Sequence, residues 1–194
     1  NYAEHIQYIT IEDTTAPEFT AFPADETVEC DAVPAIASLG SLEASDNCDS
    51  GPAIAFVEEI RTDGACDDTY TLTRTWQTYD CAGNVHLQSQ TIEVQDTQAP
   101  MLSIQCPDDI LYSNVPFAQG DLSIATNGEP TWTDSDDCDG AVTVEYTYVD
   151  VAIALDPDTD SDNQGDYELE RTFTVTATDN CGNATELECM QELP

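Results

Sequence analysis

The chain has 194 residues, with three Arg and no Lys set against 40 Asp and Glu, for a formal net charge of -37 at pH 7. Such a surface repels phosphate and anionic headgroups, which excludes nucleic acid as a partner and disfavours membrane insertion. Charge of this kind alone suits a disordered chain, but 40% of the residues are hydrophobic and they alternate with polar ones. Alternation demands a packed core, so the acidity fits a high-salt or marine medium, or bound divalent cations.

Taken in order, residues 3–12 (AEHIQYITIE) alternate moderately and read as a final or edge strand ending at Asp13. Ala16-Pro17 restarts the chain, because Pro cannot continue a strand ladder. Glu18–Phe22 and Glu26–Cys30 read as short strands, and residues 32–45 as a loop with weak strand character. Asp46-Asn47-Cys48-Asp49-Ser50-Gly51-Pro52 is a dense turn, Ala53–Ile60 a strand, and residues 61–68 a second turn. In Thr69–Tyr79, Tyr70, Leu72 and Trp76 share one face while Thr fills the other, the strongest strand signal in the chain.

Much of this recurs. Asn84–Asp96 (NVHLQSQTIEVQD) lines up with Asn1–Asp13 (NYAEHIQYITIED), and DTQAP at 96–100 repeats DTTAP at 13–17. Tyr70-x-Leu72-x-Arg74-Thr75-Trp76 returns as Tyr167-x-Leu169-x-Arg171-Thr172-Phe173, followed by Cys181-Gly182-Asn183. A period of this length is one small domain per repeat, not a solenoid unit. The expected organisation is the last strand of a preceding repeat (1–12), repeat one (13–95), and repeat two (96–194) with an acidic insertion near 148–166. Short strands, turn clusters and no helical period predict tandem immunoglobulin-like antiparallel β-sandwiches of about seven strands each. No signal peptide, transmembrane run or lipid motif is present, as expected of a slice from inside an array.

The eight cysteines fall at 30, 48, 66 and 81, then at 106, 138, 181 and 189. Even numbers per unit imply disulfides and an oxidising, extracellular compartment. Zinc is disfavoured, since no C-x-x-C occurs and the two His lie in matching last strands. Repeat two lacks a counterpart of Cys66 and gains Cys189, so the two changes compensate. The parsimonious pairing is Cys48–Cys81 and Cys138–Cys181 as the shared bridge, with Cys30–Cys66 and Cys106–Cys189 as the variable one. Each would contribute roughly 3–5 kcal/mol through loop closure. Four cysteines allow three pairings, and spacing alone does not choose among them.

The combination of DTTAP at a boundary, DNC near the middle, and Y-x-L-x-R-T-W followed by D-C-x-G-N resembles hyalin-repeat-like (HYR-like) immunoglobulin-type domains. In repeat two, Cys106-Pro107-x-Asp109-Ile110 and Asp179-Asn180-Cys181-Gly182-Asn183 through Cys189 resemble the hyalin repeat proper; repeat one departs, its Cys81 standing one place early. The resemblance spans essentially the whole chain. It implies disulfide-braced sandwiches in long arrays on extracellular surface proteins, including adhesins of marine and gliding bacteria and fibrous proteins of algae. It brings no catalytic residues with it.

Three features carry candidate chemistry. Arg74 and Arg171 lie in register with apolar residues, which suits a structural ion pair or aromatic stacking better than a carboxylate or sulfate site. Asp13 should share a pole with the loops holding Asp46, Asp49 and Asp80, and repeat two offers Asp96, Asp136, Asp137, Asp139 and Asp179 in matching places. Converging carboxylates suit Ca²⁺, which takes six to eight oxygens in loose geometry; the plainer account is turn capping. The run Asp156, Asp158, Asp160, Asp162 has the alternate-residue spacing of calcium loops, but its glycine is misplaced for an EF-hand, and a solvated acidic loop serves equally. Asn183-Ala184-Thr185 is a formal glycosylation sequon.

An enzyme is not expected, because no nucleophile–base pair or distinct carboxylate pair stands out. The expected function is a non-enzymatic structural segment of an extracellular surface fibre, filament or adhesin, acting as a rigid spacer stiffened by Ca²⁺ at its joints. Its partners are then neighbouring repeats or adjacent fibre subunits. One alternative is a calcium-dependent carbohydrate- or surface-binding module, with Trp132, Tyr146 and Tyr148 as candidate glycan contacts. The other is a donor-strand filament subunit, in which residues 1–12 fill a groove in a separate subunit; a continuous chain is favoured over it, since DTTAP matches the covalent joint DTQAP.

Overall fold

The structure is a computed structural model and describes residues 3–108, 128–138, 141–156 and 166–193. It divides between Gln95 and Asp96 into two compact units. Both are all-β: tandem disulfide-braced immunoglobulin-like sandwiches with no helix longer than a single 3-10 turn among the described residues.

Unit one contains β1 (Glu18–Ala21), β2 (Glu26–Glu29), β3 (Glu43–Ser45), β4 (Ala53–Asp63), β5 (Tyr70–Tyr79) and β6 (Val85–Gln95). One sheet has the order β2-β6-β5-β4 and the other pairs β1 with β3. The period of two in β5 sends Leu72, Arg74, Trp76 and Thr78 inward, and β6 answers with Gln90, Ile92 and Val94. Val28, Cys30, Val33 and Tyr70 close around Leu72, Ile92 and Val94. Trp76 is fully enclosed, with Phe22 and Phe56 each edge-on at 5.4 Å. Phe22 in turn meets Phe19 of β1 at 5.0 Å, which ties the small sheet to the large one.

Several local expectations are refined. The large sheet is mixed, because β2 runs parallel to β6, with Val28 opposite Val94. The chain leaves β1 through Phe22-Pro23 and changes sheets, so it reaches β6 pointing the same way. Strand β4 continues past Ile60 into the expected turn, since Arg61 and Thr62 pair with Leu72 and Thr71. Residues 3–12 form no strand, for a strand needs a neighbour and they have none among the described residues.

Unit two contains β7 (Met101–Gln105), β8 (Thr131–Ser135), β9 (Thr143–Asp156), β10 (Asp166–Thr178) and β11 (Ala184–Leu193), in sheets β7-β8 and β11-β10-β9. Phe173, Val175 and Ala177 are its buried row. The insertion near 148–166 is partly strand, because β9 and β10 stay paired out to Asp156 opposite Asp166. Asp158, Asp160 and Asp162 lie outside the described residues, as does Asp139.

Cys106 and Cys189 form a disulfide with Cα atoms 5.8 Å apart. Cys189 stands opposite Phe173 just as Gln88 stands opposite Trp76. The bridge therefore takes the place that the Phe22–Trp76 contact holds in unit one. Cys30, Cys66, Cys138 and Cys181 are disulfide-bonded, two in each unit. Cys48 and Cys81 are exposed free thiols, which corrects the expected Cys48–Cys81 bridge. The one-residue shift explains it. Asp80 and Asp179 make equivalent turns to Asn84 and Asn183, so Cys81 occupies the place of Asn180 while Cys181 comes one residue later.

Candidate cation site and the buried arginine braces

The turn after β5 is built around Asp80. Its Oδ1 accepts the backbone N–H of Gly83 (2.7 Å) and Asn84 (2.8 Å), and its Oδ2 accepts the Asn84 side-chain amide (2.8 Å). Gly83 sits at φ +95°, a conformation that favours glycine. The same Asn84 Nδ2 donates to the carbonyl of Asp13 at 3.2 Å, hooking the start of the unit onto the turn. Unit two repeats the device: Asn183 Nδ2 donates to Asp179 Oδ2 at 2.8 Å and to the Asp96 carbonyl at 3.2 Å. The nitrogen of the sequon is thus committed twice, and the Thr185 hydroxyl donates to the Pro100 carbonyl at 2.6 Å.

This hook brings three carboxylates together. One oxygen each of Asp13, Asp46 and Asp80 lie within 4.8 Å of one another. Asp46 Oδ1 accepts the amides of Cys48 (2.9 Å) and Asp49 (2.8 Å), and Asp13 Oδ1 accepts that of Thr15 (3.2 Å). The second oxygens, Asp13 Oδ2 and Asp46 Oδ2, are buried and have no hydrogen-bond partner. Asp49 stays outside the cluster: its Oδ2 accepts the Cys81 amide at 3.0 Å and its Oδ1 that of Gly51, so it ties the two loops together.

Two of these carboxyls, Asp46 and Asp80, are tuned to remain ionised. The Asp49 and Cys48 amides hold the Asp46 carboxyl below its ordinary value. Burial pushes Asp80 upward, but the Asn84 side chain and the amides of Asn84, Gly83 and Ala82 outweigh it, and the net direction is down. Local desolvation by the surrounding loops, with the negative charges of Asp13 and Asp46 close by, raises the neighbouring Cys48 thiol and keeps it protonated.

In unit two the atoms that meet within 4.8 Å belong to Asp96, Asp136 and Cys138. Cys138 is disulfide-bonded, and such a sulfur is a poor ligand for a hard cation. Asp137 is exposed and Asp179 is engaged by Asn183.

Both arginines are enclosed braces. Arg74 Nε donates to Glu59 at 2.6 Å, and its other nitrogens to the carbonyls of Pro34 (2.9 Å) and Ala35 (3.4 Å). Arg171 grips Asp150 with two bonds of 2.6 and 2.7 Å, and its guanidinium lies 4.2 Å from the Tyr148 ring centre. Glu59 and Asp150 were not singled out from sequence, although each stands directly opposite its Arg on the preceding strand. Trp132 and Tyr146 pack in a chain of rings ending on Phe173. Tyr148 is half-exposed and backed by Arg171.

No family model matches the chain, and no curated protein matches it. Among solved structures it is similar to the extracellular domain of protocadherin gamma B4, at 14% identity and a TM-score of 0.34, covering 92% of this chain and 31% of that one. Against Drosophila N-cadherin EC1-4 the values are 14% and 0.36, over 93% and 50%. The chain therefore spans half or less of those proteins. The likeness is loose at these scores and assigns no ligand or activity.

Proposed function

We propose that this chain is a non-enzymatic segment of an extracellular structural or adhesive repeat protein, a rigid spacer whose first unit is closed at one end by Ca²⁺. The observation that carries the reading is the pair of buried, unpartnered oxygens, Asp13 Oδ2 and Asp46 Oδ2, aimed into one cluster with Asp80. Buried anionic oxygens on residues gathered in one acidic cluster are costly without a cation among them. All the donors are oxygens, which suits Ca²⁺ over zinc or copper. Asp13, Asp46 and Asp80 would hold the ion, and water would complete its shell. Its chemistry is charge neutralisation and cross-linking: it would clamp the start of the unit onto two loops that otherwise repel each other.

The disulfides support an oxidising, extracellular setting. The braces Arg74–Glu59 and Arg171–Asp150 recur inside each unit, as a stiff spacer requires. Amide exchange of the full chain in Ca²⁺ and in chelator, at constant ionic strength, tests the proposal. The expected result is slower exchange at Thr15, Cys48 and Gly83 with Ca²⁺, lost in Asp13→Asn/Asp46→Asn. Identical exchange in all conditions would overturn it.

A further inference from the structure

Residues 3–12 carry side chains suited to a place they do not occupy. Ile9 and Ile11 are 76% and 88% exposed, while their counterparts in the matching strand β6, Ile92 and Val94, are 0% and 4% exposed. Gln7 corresponds to Gln90, which is buried and donates its Nε2 to the Ala24 carbonyl at 2.8 Å. In β6 this Gln caps a carbonyl on the approach to β2, and the two aliphatics fill the core beside Leu72. The segment thus repeats the inward face of an interior strand: one amide to cap a carbonyl, and two apolar residues to bury.

Spacing narrows the receptor. The interval from Asn1 to Gln7 equals that from Asn84 to Gln90, whereas Asn183 to Gln191 is wider. Gln191 does the same work in unit two, donating to the Asp108 carbonyl at 2.7 Å, but from a longer hairpin. The segment is therefore cut to the short hairpin of unit one. That place in its own unit is filled by β6, which pairs antiparallel with β5 and parallel with β2. Charge does not guide the docking, since a chain this acidic repels its like. Backbone pairing and apolar burial must supply it.

We infer that residues 3–12 are a last strand that completes a receptor, an immunoglobulin-like unit of the unit-one class whose other strands lie outside residues 13–194. In the receptor the segment lies between the equivalents of β5 and β2, buries Ile9 and Ile11, and caps a loop carbonyl with Gln7. This goes beyond the cation site and does not depend on it.

The test transplants the segment. In the full chain, residues 84–95 are replaced by the sequence of residues 1–12, and Trp76 emission reports unit one, with Trp132→Phe removing the other indole. The expected result is a folded unit one with blue-shifted emission and a cooperative melt, lost when the transplanted strand carries Ile9→Asp and Ile11→Asp. In a second measurement the intact chain is mixed with a separate polypeptide of residues 13–83. The expected result is a one-to-one complex that disappears when residues 3–12 are deleted. A transplant that stays unfolded, aspartate variants that fold equally well, or binding that survives the deletion (strand addition at the β4 edge, for example) would each overturn the inference.

Discussion

The two units share a frame but differ in how they are fastened. Each has an Arg on its central strand gripping an acid on the strand before it, an Asp-Gly-Asn turn, and an Asn that hooks the first Asp of the unit. Unit one joins the end of its first strand to the core through Phe22 on Trp76; unit two does so through Cys106–Cys189. Unit one gathers three carboxylates where unit two offers two and a bridged sulfur. The backbone frame is thus set by the repeated polar residues, while the contacts laid over it are interchangeable.

The largest expected effect comes from that interchange. Cys106→Ser with Cys189→Ser should destabilise unit two by about 4–5 kcal/mol, since the bridge closes a long loop, and leave the urea melt of unit one unmoved. Phe22→Ala should produce the mirror result, a loss of about 3 kcal/mol confined to unit one. If both variants weakened both units alike, the fasteners would not be equivalent.

Next come the braces. Arg74→Met should cost about 2–3 kcal/mol, because it strands Glu59 and two loop carbonyls, with some relief from the partial exposure of Glu59. Arg171→Met should cost about as much in unit two, and Lys at either position should rescue only in part, since it cannot reproduce the fork. Equilibrium urea unfolding of each variant checks both values.

Smaller still is Asn84→Ala, expected to cost about 1–2 kcal/mol through lost bonds to Asp13 and Asp80. Amide exchange should quicken at Thr15 and Gly83 before it does in β5.

The pH dependence has a definite sign. Asp46 and Asp80 are held below the ordinary value of 3.8, so their contribution is whole above about pH 5 and drains as pH falls through 3.8 toward their folded values. In chelator, melting temperature against pH should show this acid loss, and it should shrink in Asp80→Asn.

The architecture was legible because alternation is a one-dimensional signal: Tyr70, Leu72 and Trp76 place β5, and the repeated motifs place its copy. The gathering of Asp13, Asp46 and Asp80 followed from asking which turns share a pole. Glu59 and Asp150 were hidden because they lie among many acids, and only register selects the one opposite each Arg. The role of Asn84 was hidden for a similar reason: an Asn in a turn reads as a turn residue, and its hook to Asp13 crosses the whole unit. The parallel entry of β2 beside β6 leaves no local trace at all. The Cys48–Cys81 bridge failed because the cysteine is shifted by one place within an otherwise equivalent turn, which repeat matching tolerates and side-chain direction does not.

Calorimetry of the full chain in Ca²⁺ and in chelator, at fixed ionic strength, bears most directly on the cation site. At a Ca²⁺ concentration about 100 times the dissociation constant, binding should stabilise unit one by about 2.7 kcal/mol. Its melting temperature should rise by several degrees, more than that of unit two, and Asp46→Asn should abolish the rise. Superimposable melts in Ca²⁺ and chelator, or a rise undiminished in Asp46→Asn, would contradict the assignment of Asp13, Asp46 and Asp80 as cation ligands.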